Sequence, residues 1–202
     1  MRKLFAFFCI AVLCVAVSFV IECSAEKAQL YEQVIRLHIV ANSDNPEDQA
    51  QKLRVRDAVM DYLMPLLADA ESKEDARNCI LLNTSGIKER VVSLLQAEGT
   101  DMGVHISFGE ESFDTRYYDT FALPAGVYSS LRIELGDAAG KNWWCVAFPS
   151  LCVPAAGQTF DDVAASAGFS DNLSNCLKQK SGFEFRFYFL DILGKLENLF
   201  AK

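Results

Sequence analysis

Hydrophobic and polar positions alternate most regularly over residues 33–40. Alternate residues point to opposite faces of a β-strand, so this period predicts a strand with one apolar face. The members of that face are Ile35, Leu37 and Ile39. A polar stretch follows, and Asn45 and Pro46 then suit the N-cap and first position of an α-helix. The pattern therefore predicts a strand, a short polar junction and a helix in immediate succession.

Further elements follow from the same kind of pattern. The first helix carries an apolar stripe as far as Leu66, and Pro65 is expected to kink or end it. Apolar residues at helical spacing predict helices over residues 74–82 and 87–96. Strand-like segments come next, over residues 104–108, 115–123, 127–135 and 143–148. The middle of the chain is thus helical first and strand-rich afterwards.

The C-terminal part of the chain has a different pattern from the middle. Residues 155–181 are small, polar and dotted with glycine, which predicts a long loop with one short helix. Phenylalanine at every second position from Phe183 to Phe189 predicts a strand, and apolar residues from Ile192 to Phe200 predict a final helix. The order predicts a single α+β domain, with an N-terminal strand and helices followed by an antiparallel sheet and a C-terminal helix.

The N-terminus has the composition of an export signal. Arg2 and Lys3 precede an unbroken apolar stretch, and small residues up to Ala25 resemble a cleavage site. Residues 1–25 are therefore interpreted as a secretory signal peptide, and residues 26–202 as the globular domain. An uncleaved anchor is the alternative, because 18 apolar residues in a helix rise about 27 Å, nearly the thickness of a bilayer core. Both interpretations place the domain outside the cytoplasm.

Composition and charge narrow the function. A chain of 202 residues that is 51% hydrophobic can bury a core, and its net charge of −8 argues against a nucleic-acid partner.

Once residues 1–25 are set aside, an even number of cysteines remains in an exported chain. These are Cys79, Cys145, Cys152 and Cys176. The first candidate for a disulfide is Cys145 with Cys152, which flank Pro149, and four free buried thiols are the alternative. No metal site or cofactor is expected, because there is no CxxC pair and only two histidines.

No established catalytic motif occurs in the chain, which lacks GxSxG, HExxH, a P-loop and GxGxxG. His38 is the best single catalytic candidate, and a secreted hydrolase would use it with Ser43 or Asp44. Nearness in sequence does not establish such geometry, so a binding or structural role is favoured over catalysis. We therefore expect no catalytic residues and interpret the junction as a recognition surface.

The expected recognition surface combines the second face of the strand, the junction and the helix that follows. Its members are Arg36, His38, Asn42, Asp44, Arg54 and Arg56, with Trp143 as an additional protein-contact residue. An ordinary solvated helix face is the alternative for the arginines, because ion pairs on helix surfaces contribute only about 0.3–0.5 kcal/mol each. Tryptophan, in contrast, is enriched at the energetic centres of protein interfaces.

Three long segments resemble the stage II sporulation protein R family of endospore-forming Firmicutes. They read VIRLHIVANSDNPEDQA with KLRVRDAV (residues 34–50 and 52–59), LPAGVY with LRIELG (123–128 and 131–136), and GKNWWCVAFPSLC (140–152). The resemblance runs in order from about residue 30 to residue 153. Ser150 departs from it, since a second proline is expected after Pro149, and the chain beyond Cys152 adds little.

The resemblance implies a signalling protein and not an enzyme. Family members are made in the forespore and exported into the space between the two septal membranes. There they trigger a membrane-embedded aspartic protease of the mother cell, which processes the inactive precursor of sigma factor E. The family supplies no catalytic residues to transfer to this chain.

Overall fold

The computed structural model describes residues 1–151, 159–178 and 185–200. The helices and strands follow the chain in this order: α1 (Arg2–Gln33), β1 (Ile35–Val40), α2 (Pro46–Leu67), α3 (Lys73–Leu82), α4 (Thr84–Ala97), β2 (Val104–Phe113), β3 (Arg116–Tyr117), β4 (Ala122–Leu123), β5 (Gly126–Leu135), β6 (Asn142–Phe148), α5 (Phe160–Ser166), α6 (Asp171–Leu177) and α7 (Phe185–Phe200). This order confirms the predicted α+β class.

The main sheet has four strands in the order β2-β5-β1-β6, and β3 pairs with β4 in a separate two-stranded ribbon. β5 is antiparallel to β2, and β6 is antiparallel to β1, but β1 and β5 run parallel. The sheet is therefore mixed and not purely antiparallel. Because β1 lies between β5 and β6, it has no free edge, and each of its six residues is buried.

Two apolar layers cover the sheet, one on each face. The helix-side core lies between the sheet and α2, α3 and α4, and it contains Leu37 of β1, Val59 of α2 and Leu131 of β5. The opposite layer covers only part of the other face, and it contains Phe113 of β2, Tyr128 of β5 and Leu173 of α6. Polar side chains occupy the rest of that second face.

Several predicted element boundaries need correction. Of the two effects predicted for Pro65, a kink or the end of the helix, the second is wrong, because α2 continues to Leu67. The strand expected over residues 115–123 is reduced to the two short strands β3 and β4. The region predicted to hold one short helix contains two, α5 and α6, between residues 159 and 178.

The strand predicted over residues 183–189 is wrong for the part that the structure describes, because α7 begins at Phe185. Residues 183 and 184 lie outside the described residues. Phe185 and Phe189 are four residues apart, which places them on one side of a helix, and both rings contact Phe19 of α1 at 5.5 and 5.4 Å between centroids. The spacing of the phenylalanines alone fits either a strand or a helix. The packing against α1 accounts for the helix.

α1 passes without interruption through Ala25, the position predicted to end a signal peptide. Its N-terminal part is exposed and apolar, and by length and composition this helix could cross a membrane. Its C-terminal part packs on the domain, with Cys23 and Leu30 fully buried. The structure therefore joins the predicted signal segment and the predicted domain in one helix.

Candidate functional site

The polar junction after β1 is held together by its own hydrogen bonds. Asn42 Nδ2 and Ser43 Oγ both donate to Asp48 Oδ2, at 2.9 and 2.5 Å, and the backbone N–H of Asn45 donates to Ser43 Oγ at 3.1 Å. These bonds, from Ser43 first and Asn42 second, lower the pKa of Asp48. Asp48 thereby stays ionised in the first turn of α2, where a negative charge interacts favourably with the helix dipole.

The junction also fixes the connection between β5 and β6. The backbone N–H of Asp137 donates to Asn42 Oδ1 at 3.0 Å, and the backbone N–H of Lys141 donates to Asp44 Oδ1 at 2.7 Å. Lys52, which is 5% exposed, donates from Nζ to the carbonyl oxygen of Lys141 at 2.8 Å. Asn42 and Asp44 were predicted as partner contacts, but these bonds give both of them a folding role.

The two predicted helix arginines have different surroundings. Arg54 pairs with Glu98 at the end of α4, with Nη2 donating to Oε2 at 3.0 Å. Arg56 bonds to Asp57, and its guanidinium carbon lies 5.3 Å from the centre of the Trp143 ring. The structure therefore brings Arg56 and Trp143 together, as a partly exposed cation–π pair between α2 and β6.

Arg36 is buried and enclosed by aromatic rings. Its guanidinium carbon lies 4.0 Å from the centre of the Phe113 ring and 5.2 Å from that of Tyr128, and Nη2 donates to the Tyr118 hydroxyl at 2.9 Å. Within the described part of the chain, Nε and Nη1 have no hydrogen-bond partner and no carboxylate pairs with the cation. The accessible binding role predicted for Arg36 does not fit a side chain that is 0% exposed.

His38 is also buried, at 2% exposure, and it lies at the centre of a group of polar side chains. Nδ1 is 2.7 Å from Glu111 Oε1, and Nε2 is 2.9 Å from Asn142 Oδ1. The imidazole stacks on Trp144, with 3.7 Å between ring centres. We call this group the polar cluster, and its members are His38, Glu111, Arg132, Glu134, Asn142 and Trp144.

Arg132 links the two carboxylates of the polar cluster. Its Nη1 donates to Glu111 Oε1 at 2.6 Å, and its Nη2 lies 2.8 Å from Glu134 Oε1. Burial acts to raise the pKa of Glu111, but the bonds and charges of His38 and Arg132 outweigh it and lower that pKa. Glu111 therefore remains an anion on a partly buried sheet face.

The arrangement predicted for a hydrolase is not formed. Ser43 and Asp44 hold the junction, and the carboxylate beside His38 is Glu111. Among the described residues, no hydroxyl or thiol group is hydrogen-bonded to His38, whose partners are Glu111, Asn142 and Arg132. A histidine and a carboxylate without a nucleophile do not make a catalytic triad.

The recognition surface predicted from Arg36 and His38 through to Arg56 is not continuous. Alternation along β1 correctly separates the two faces of the strand, but it cannot show that other elements cover the second face. Sequence reasoning also missed Glu111, Arg132 and Glu134 as neighbours of His38. Arg132 and Glu134 do alternate along β5 in the LRIELG segment, which signals a shared face, but only strand order places that face beside His38.

One cysteine of the predicted disulfide, Cys145, belongs to the described part of the chain. Cys145 is disulfide-bonded and buried, while Cys152 lies outside the described residues, so the pairing of the two stays a prediction. Cys79 has a free thiol. In residues 1–151, 159–178 and 185–200 there is no cluster of three histidine, cysteine or carboxylate side chains that could hold a metal ion.

Comparison with known proteins agrees with the three resembling segments. A family model described as stage II sporulation protein R matches residues 31–158 of the chain. A curated relative, the stage II sporulation protein R of Bacillus subtilis (strain 168), is 40% identical over 121 residues, which are 60% of this chain and 54% of the relative. The chain thus spans about half the length of that relative, and no solved structure matches it. Because the family match covers more than half of its residues, the chain belongs to the stage II sporulation protein R family.

Proposed function

We propose that this protein is an exported sporulation signal that activates a membrane-embedded aspartic protease of the mother cell. The protease then cuts the precursor of sigma factor E. The observation that carries the proposal is the family match over residues 31–158, which supports a role in sporulation. The apolar, exposed start of α1 is compatible with export, here from the forespore into the space between the septal membranes.

The geometry around His38 favours a signal over an enzyme. Both nitrogens of the imidazole have hydrogen-bond partners and its ring is stacked on Trp144. Ser43 and Asp44 of the junction are also engaged in structural hydrogen bonds. A signal without chemistry of its own acts by binding the active state of its receptor more tightly than the inactive state. The activity of the protease is then set by that difference in affinity.

Arg56 and Trp143 are the proposed contact with the protease. Of the seven residues predicted to bind a partner, these two are in contact with each other, and neither holds a backbone loop in place. Tryptophan and arginine are the residue types that most often dominate the binding energy of an interface. Arg54 can contribute at the edge of this contact, because its side chain is 46% exposed despite its pairing with Glu98.

A reconstitution in a bacterium that does not sporulate tests the function. The full chain, the candidate protease and the sigma factor E precursor are produced together and in every pair, and the size of the precursor is followed by immunoblotting. We expect the shortened sigma factor only when all three are present. Cutting of the precursor in the absence of the protease would make this chain itself a protease and end the proposal.

The contact is tested in the same system with charge reversal. We expect Arg56→Glu to reduce the rate of precursor cutting about tenfold, corresponding to a loss of about 1.4 kcal/mol of binding energy. Arg90→Glu is the matched control, since Arg90 is an exposed arginine on α4 and the change in charge is identical. Equal rates of precursor cutting for the two variants, at equal protein levels, would show that Arg56 is not part of the contact. That result would not contradict the proposed function.

A further inference from the structure

α1 consists of two parts with opposite surroundings. The first part, up to Ile21, is apolar, and its most hydrophobic window has a mean hydropathy of 3.0 with none of it buried in the protein. The second part, from Glu22 to Gln33, packs on the domain, and Cys23, Glu26 and Leu30 are its buried side chains. An exposed apolar helix of this length requires another apolar environment, since water disfavours it strongly.

The boundary between the two parts lies inside a continuous helix. No glycine or proline occurs between Met1 and Asn45, so the sequence provides no residue that breaks the helix near Ala25. In the folded protein, cleavage after Ala25 requires local unwinding of a segment whose flanking side chains, Cys23 and Glu26, are buried.

Arg186 of α7 bonds to α1 on both sides of Ala25. Its Nη1 donates to Glu26 Oε1 at 2.7 Å, and its Nη2 donates to Glu22 Oε2 at 3.0 Å. Further along the same helix, Lys27 Nζ lies 2.9 Å from Glu197 Oε2. These pairs connect the end of the apolar segment to the helix that closes the domain.

We propose that α1 is retained as a membrane anchor and that the first turns of α7, at Phe185 and Tyr188, lie in the lipid interface beside it. The 18 apolar residues 4–21 of a helix rise about 27 Å, which is nearly the thickness of a bilayer core. Arg2 and Lys3 favour the cytoplasmic side, which leaves the domain outside. The proposal does not depend on the protease named above.

The contacts of α7 with α1 give its depth relative to the bilayer. Phe185 and Phe189 contact Phe19, which belongs to the apolar segment, whereas Glu197 contacts Lys27. Lys27 is eight residues beyond Phe19, a rise of about 12 Å. α7 therefore begins at the level of the lipid and leads away from it.

The side chains at the start of α7 suit that depth. Phe185 is 61% exposed and Tyr188 is 51% exposed, although both are large and aromatic. Tyrosine is enriched at the boundary between lipid and water, and phenylalanine is typical of the lipid-facing side of helices that lie in that interface. Because this aromatic surface is continuous with the exposed apolar face of α1 through Phe19, the occupant that it fits is the bilayer.

Retention of the anchor is tested with the full chain carrying a C-terminal tag in a bacterial host. Membranes are washed with alkaline carbonate, and the mass of the intact protein is measured. We expect the wild-type chain to stay in the pellet with its first residues attached. A wild-type chain that begins at Glu26 and appears in the soluble fraction would overturn the proposal.

The matched variant Glu22→Pro introduces a helix breaker before the same small residues. We expect it to be cut and released more than the wild-type chain, because the bond after Ala25 no longer lies in a stable helix. Release of both chains to the same extent would show that the continuous helix offers no protection, and it would count against retention.

The lipid contact of α7 is tested with a tryptophan placed at either end of its exposed face. Phe185→Trp and Leu199→Trp are inserted as full chains into phosphatidylethanolamine and phosphatidylglycerol vesicles with brominated acyl chains, and the fluorescence loss beyond that of Trp143 and Trp144 is compared. We expect the new tryptophan at position 185 to be quenched at least twofold more. Equal quenching, or protection of position 185 by a second copy of the chain, would overturn the interface.

Discussion

The two faces of β1 are buried to nearly the same extent, but one is wholly apolar and the other carries two polar side chains beside Val40. Ile35, Leu37 and Ile39 face the helices and are 0% exposed, while Arg36 and His38 face the other way and are 0% and 2% exposed. The first face meets other apolar side chains, and the second meets an aromatic cage and a network of charges. The comparison teaches that alternation along a strand reports which residues share a face, and not whether that face meets water.

The helix-side face is expected to contribute most to stability. Leu37→Ala removes buried methyl groups from a packed core, so we expect it to lower the free energy of unfolding by about 2–5 kcal/mol. The measurement is urea unfolding of the full-length chain in a mild detergent, followed by near-ultraviolet circular dichroism. Leu82→Ala is the control, because Leu82 is 83% exposed and its loss is expected to change the free energy by less than about 0.5 kcal/mol.

The opposite face is expected to respond in the reverse direction. Arg36 is a buried cation, and two of its nitrogens, Nε and Nη1, have no hydrogen-bond partner among the described residues. Arg36→Met keeps the bulk and removes that desolvated charge with its unpartnered donors, so we expect the free energy of unfolding to stay the same or to rise by about 1–3 kcal/mol. The same urea titration measures it.

Arg36→Ala provides the contrast, because it removes the charge and also leaves a cavity beside Phe113 and Tyr128. We expect this variant to be clearly less stable than Arg36→Met. If Arg36→Met instead lost as much stability as Leu37→Ala, the cation–π contacts would have to outweigh the cost of burying the guanidinium.

Much of this fold could be predicted because local patterns determine it. The strand at β1, the junction and the start of α2 at Pro46 lie where alternation and the residue types predict them, although the side chain of Asn45 makes no capping hydrogen bond. What could not be predicted depends on contacts between distant segments. The helical state of Phe185 depends on Phe19, and the burial of His38 depends on the central position of β1 in the strand order.

The candidate site illustrates the same limit. Asn42 and Asp44 look free for recognition because their partners, the backbone N–H groups of Asp137 and Lys141, are about a hundred residues away. Glu111 is likewise 73 positions from His38, and no local spacing signals that pair. A polar residue without a local explanation is therefore not yet a functional residue.

Glu111 tests whether the polar cluster stabilises the second face. Glu111→Gln removes the anion shared by His38 and Arg132, and we expect it to lower the free energy of unfolding by about 1–3 kcal/mol near pH 7. The folded protein lowers the pKa of Glu111 below its ordinary value of 4.5. The wild-type chain therefore gains this stability fully above that value and loses it as the pH falls through the lower folded value.

The difference between wild type and Glu111→Gln should accordingly shrink between about pH 5 and pH 3. Urea titrations repeated across that range measure it. A difference that stayed constant over the range would mean that the carboxylate is stabilised by no net charge or hydrogen bond in the folded state.

Glu134→Gln is expected to change stability least. Comparing it with Glu111→Gln separates the contribution of burial from that of charge. It shares Arg132 with Glu111, at 2.8 Å, but the side chains of this pair are 35% and 25% exposed. Water and salt screen such a pair, so we expect Glu134→Gln to cost less than about 1 kcal/mol, and to cost nothing measurable in about 1 M salt, where the screening length is about 3 Å. The effect of Glu111→Gln should persist in that salt, because Glu111 also bonds to the buried His38. Equal salt sensitivity of the two variants would show that the polar cluster behaves as ordinary protein surface, in contrast to the burial of His38 at its centre.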